Sequence, residues 1–139
     1  MTNGEIMKFT KIWLLACAII QFTFGMAFTF FWDLFFADFI KFQYTDPALP
    51  LIFGTAAFGF SALCFLTFFL GKDWNSVRIP VLTEIIWCGV SIPAMLYAQF
   101  GYIDLHPINW MNTLSYALIM VGFIVVLILQ VKKEKTESI

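Results

Sequence analysis

The sequence predicts an all-α integral membrane protein, a four-helix bundle with a short interfacial segment between its first and second helices. Three observations carry this. Of 139 residues, 61% are hydrophobic and 12% charged, whereas soluble domains run near ~45–50% apolar and about 25% charged. Mean hydropathy is +0.87 for a 16.0 kDa chain, and a soluble domain that small buries only about two-thirds of the surface its unfolded chain exposes. The charges are also clustered so that four long apolar runs stay clear of them, the third broken only by Glu84. None of these runs shows the in/out alternation of a barrel strand. The chain reads as a single domain with spans over 12–32, 48–71, 79–101 and 108–131.

The first span, 12–32, is 21 uncharged residues, about 31 Å of helix at ~1.5 Å per residue, which matches a hydrocarbon core of about 30 Å. Lys8 and Lys11 precede it like the start of a signal peptide. The run is too long for one and no small-residue cleavage site follows, so the expectation is a retained span. Residues 32–44 (WDLFFADFIKFQY) mix aromatics with Asp33, Asp38 and Lys41, the composition of a short helix lying in the outer interface as an aromatic belt. Asp46-Pro47 opens the second span as an N-cap followed by proline at the first helical position.

The third span places Pro80 in its first turn and Pro93 deep inside, where the missing donor to the Gly89 carbonyl predicts a kink. His106-Pro107 opens the fourth span, and 132–139 reads as a short, frayed charged tail.

Orientation follows from Lys and Arg. Lys8, Lys11, Lys72, Arg78, Lys132, Lys133 and Lys135 fall on one side, against Lys41 on the other. Both termini are therefore expected in the cytoplasm, with the protein in the cell membrane. The lipid bilayer is the first expected partner, and a homo-oligomer or a membrane partner subunit the second. A net charge of −1 leaves no basic patch for nucleic acid.

Most chemical signatures are missing from the linear pattern. Cys17, Cys64 and Cys88 lie on three different spans with no C-x-x-C, which argues against a disulfide oxidoreductase and for thiols that simply pack. A lone histidine, His106 in the outer loop, leaves no bis-histidine haem and no zinc or di-iron set of clustered His and carboxylates. No cofactor, metal or catalytic set is expected, and an enzyme is the weakest reading, since acid/base work usually needs a second group.

What remains is polar residues inside the spans. Cys17, Gln21, Gly25, Thr29 and Asp33 repeat every four residues in the first; Gly54, Ala57, Ser61 and Cys64 mark the second; Asn112, Ser115 and Gly122 mark the fourth. Small and weakly polar residues of this kind line membrane helix interfaces. Glu84 stands apart, because an ionisable group within a span costs about 2.5–3.5 kcal/mol and normally faces a partner or a cavity. Counted from Ile79 it lies about 8 Å below the cytoplasmic edge. Glu84, Gln21, Cys88 and Ser91 form the candidate intramembrane polar site. Glu84 is expected to bond Gln21 or to pair with Lys11, if helices one and three are neighbours.

The Gly-containing second span, the link Gly71-Lys72-Asp73-Trp74-Asn75-Ser76-Val77-Arg78 and the opening Asn109-Trp110-Met111-Asn112 give a layout that resembles small four-span proteins including the DoxX-like membrane proteins. That resemblance implies a fold and a membrane address and no catalytic residue. Small multidrug transporters look different, with their embedded Glu in helix one where this chain has Gln21. The leading expectation is a non-enzymatic partner subunit or a binder of a lipid-like ligand. The alternatives are a proton-coupled small transporter using Glu84 and a lipid-modifying enzyme.

Overall fold

A computed structural model describes residues 2–31, 34, 48–101 and 109–137. Among the described residues are four helices, α1 (Asn3–Phe30), α2 (Ala48–Leu70), α3 (Trp74–Gly101) and α4 (Asn109–Glu137). Each is long and apolar enough to cross a membrane. The expected interfacial helix over 32–44 falls outside the described residues except for Leu34, as do His106 and Pro107.

Three helix ends differ from the sequence reading, and for the starts of α1 and α3 the cause is capping. An uncharged run marks what hydrocarbon tolerates, whereas a helix begins where its first free N–H groups find acceptors. In α1 that place is Thr2. Its side chain accepts from Glu5 N at 3.3 Å, and its own N–H donates to Glu5 Oε2 at 2.7 Å. This reciprocal capping box starts the helix well before residue 12. In α3, Asp73 Oδ1 accepts from Ser76 N at 2.9 Å, while Ser76 Oγ accepts from the Asp73 and Lys72 N–H groups. The helix therefore starts at Trp74, and Pro80 sits in its second turn rather than its first; α3 continues through Pro80 and Pro93 to Gly101. The tail is not frayed as far as Glu137. Gln130 is buried, and Lys133 Nζ donates to Asn3 Oδ1, fastening the end of α4 to the start of α1.

Side-chain contacts fix the helix directions. Ser61 Oγ donates to Ala18 O at 2.8 Å, and Gly54 abuts Thr29, so α2 runs antiparallel to α1. Trp13 Nε1 donates to Ile119 O at 3.1 Å, and Asn3 meets Lys133, so α4 is antiparallel to α1 as well. The most extensive packing is α1 on α2, then α3 on α4, with α1–α4 and α2–α3 contacts closing the ring. Thus α1 and α3 stand diagonally across the bundle axis.

Two glycines permit the closest approaches. A Cβ at Gly122 would overlap the Trp13 indole, and one at Gly54 would overlap Thr29 Oγ1. Membrane helix pairs use small residues in this way. Leu14, Ala18, Val77, Val81, Ile119 and Phe123 belong to the shared core. Polar residues are buried with them: Thr10, Gln21, Ser61, Thr67, Glu84, Thr113 and Gln130. Large apolar side chains such as Ile52, Phe69, Ile86, Val90 and Leu114 point outward, so the outer surface carries a contiguous apolar character that an aqueous monomer rarely shows.

Candidate functional site

The polar stripes predicted on α1, α2 and α3 converge on the bundle axis. On α1, Cys17, Gln21 and Gly25 are buried, because four-residue spacing keeps them on one face. On α2, Ala57, Ser61 and Cys64 are buried, and on α3 Val77, Val81, Glu84 and Cys88. Ser61 holds α2 in register with α1 through the Ala18 carbonyl, which brings Cys64 to the level of Cys17.

Glu84 lies at the centre, with 0% of its surface exposed. Gln21 Nε2 donates to its Oε2 at 2.7 Å, the Cys17 thiol donates to the same oxygen at 3.6 Å, and the Cys64 thiol donates to Oε1 at 3.3 Å. Gln21 Nε2 also reaches Cys17 Sγ at 3.2 Å. Three helices thus contribute to one buried cluster, with the carboxyl accepting from each neighbour. The amide Oε1 of Gln21 is buried without a hydrogen-bond partner.

Of the residues singled out in the sequence, Glu84 and Gln21 come together. Cys88, one turn further along α3, is fully buried in the core, and Ser91 is half-buried. Neither is among the hydrogen-bond partners of Glu84. Two corrections follow. Lys11 is not a partner of Glu84 among the described residues, because the carboxyl sits level with Cys17 and Gln21, at least six residues or about 9 Å of helix beyond Lys11.

The second correction concerns the cysteines. Cys17 and Cys64 are not merely packing residues, since both thiols address the carboxyl. Their sulfurs and a Glu84 oxygen lie within 4.8 Å of one another. The sequence did carry a signal: Cys17 is one helical turn from Gln21, and Cys64 one turn from Ser61. What it lacked was the pairing of stripes across helices.

A separate cleft of about 580 Å³ opens where the start of α1, the α2–α3 link and the end of α4 meet, lined by Asn3, Met7, Lys72, Trp74, Gln130 and Lys133 among others. It does not include the Glu84 cluster.

The fold and the cluster define a class: a four-helix bundle, apolar outside, around a buried carboxyl–amide–thiol centre. No protein-family model matches the chain, and comparison with curated proteins and with solved structures yields no match.

Proposed function

We propose that the chain is an integral protein of the cell membrane, crossing it four times with both termini in the cytoplasm, and that it serves as a non-enzymatic partner subunit. The observation that supports this best is the closed centre. Cys17, Gln21, Cys64 and Glu84 are each at most 2% exposed and bond to one another rather than lining an opening. Glu84 then works as a polar latch among α1, α2 and α3, the common use of polar side chains between membrane helices. The outward apolar side chains are left to lipid and to a neighbouring membrane protein. The seven-to-one distribution of Lys and Arg supports the orientation, and the DoxX-like layout points to the same membrane address.

The test is mild solubilisation from native membranes. The chain is expected to migrate as a complex with another membrane protein and to accumulate poorly once that partner is deleted. Reconstituted alone in vesicles, it is expected to pass no protons. A proton flux lost in Glu84→Gln would replace this reading with the transporter, and a tightly held lipid retained by the monomer would replace it with a ligand binder.

A further inference from the structure

Around Glu84, two sulfurs and a carboxylate oxygen lie within 4.8 Å of one another. We propose that Cys17, Cys64 and Glu84 bind one zinc ion, with the Gln21 amide oxygen as the fourth ligand, as a closed structural centre joining α1, α2 and α3. This goes beyond the subunit reading and holds whatever the chain associates with.

The distances carry the first part. In a tetrahedral zinc site, bonds of about 2.3 Å to sulfur and about 2.0 Å to oxygen leave those two ligand atoms roughly 3.5 Å apart. Here the Cys64 sulfur lies 3.3 Å from Glu84 Oε1 and the Cys17 sulfur 3.6 Å from Oε2, so each thiol has this spacing to its own oxygen of the carboxylate. All three donors fall within 4.8 Å of one another. An ion in their midst engages the carboxylate through both oxygens, one beside each sulfur.

The second part is independent of the first. Gln21 is 2% exposed, and its Oε1 lacks a hydrogen-bond partner. Leaving a buried acceptor unmet is unfavourable. Half a turn of the terminal amide exchanges Oε1 with Nε2, which now lies 3.2 Å from Cys17 Sγ and 2.7 Å from Glu84 Oε2. The oxygen then faces the same centre as the thiols, giving up the Nε2 bond to Glu84 and turning the amide N–H groups to the side where Oε1 now has no partner.

Charge and softness select the ion. A carboxyl and two thiols meet in the interior, and their hydrogen-bond partners among the described residues include no Lys or Arg. A divalent cation offsets two of the three negative charges that the carboxylate and the two thiolates then carry, leaving one net negative charge at the centre. Mixed sulfur and oxygen donors suit zinc, whereas Cu(I) favours sulfur throughout and calcium or magnesium favour oxygen. Binding replaces the two thiol protons, which leave to the medium as the thiolates form. Zinc stays divalent throughout, so no electron acceptor is involved.

The experiment is metal analysis of the full chain, expressed in zinc-replete medium and purified in detergent without chelator. About one zinc per chain is expected. Cys17→Ser and Cys64→Ser should each weaken zinc binding at least tenfold, and Gln21→Ala by about 10- to 100-fold. Those variants also alter hydrogen bonds to Glu84, so the unmodified chain gives a second readout. Exchanged with Co²⁺, it should develop the sulfur-to-cobalt charge-transfer absorption of thiolate ligation. Zinc far below one per chain together with no such absorption would overturn the proposal. So would metal content unchanged in a Cys17→Ser/Cys64→Ser double variant, or a Cys17–Cys64 disulfide as the isolated state.

Discussion

Glu84 shows how one side chain organises its surroundings. Its carboxyl gathers an amide and two thiols from two other helices, so truncation leaves three donors facing a void. Glu84→Ala is expected to cost about 1–3 kcal/mol for the unmet polar groups, with a further loss from the cavity. Glu84→Gln, which keeps the volume, should fold and accumulate. Thermal unfolding in detergent separates the two. Asp73 gives a different prediction because it is exposed and stands at the cap of α3. Hydrogen bonds from the Ser76 backbone and side chain hold its carboxyl below the usual range. A carboxyl whose folded pKa is depressed contributes stability above its unfolded pKa, near ~3.9, and loses that contribution as pH falls through the lower folded value. Acidification below about pH 4 should therefore lower the unfolding temperature of the native chain more than that of Asp73→Ala, which has no cap carboxylate to protonate.

Helix contacts turn on where a backbone can be approached. Trp13 of α1 lies directly over Gly122 of α4 and donates to the Ile119 carbonyl, so the α1–α4 seam depends on a missing side chain. Gly122→Val should destabilise by about 1–3 kcal/mol through overpacking and shift the Trp13 fluorescence as the indole is displaced. Gly89 in α3 meets nothing within 4 Å of where a Cβ would stand. Gly89→Ala should therefore be neutral or gain up to about 1 kcal/mol from helix propensity. Equal effects at the two positions in an unfolding assay would contradict the seam.

Across the whole molecule, buried polar residues such as Gln21, Glu84 and Ser61 share the interior with an apolar core, while large apolar side chains such as Phe69, Ile79 and Val90 are exposed. That arrangement suits a bilayer, where helices gain little from hiding apolar groups and associate through close packing and polar contacts. The proposed orientation has a direct check. A reporter active only outside the cytoplasm, fused to Ile139, should stay silent, and a strong signal would reverse the topology.

Four apolar helices were legible in the sequence because the relevant property, a run of about 20 residues with almost no charge, is local to each run. The inward stripes were legible too, since Cys17 and Gln21, or Glu84 and Cys88, share a face at helical spacing. Helix ends were read less well. The capping pairs Thr2–Glu5 and Asp73–Ser76 are also local, but they lie in charged stretches beyond the apolar runs. The tertiary structure alone decided which stripes meet. The diagonal placement of α1 and α3 and the register set by Ser61 on Ala18 put Cys17, Cys64 and Gln21 around Glu84 and left Lys11 outside. Span length and facing depend on each helix by itself; the composition of the centre depends on the rotation and axial offset of three helices at once, which no single stretch of sequence encodes.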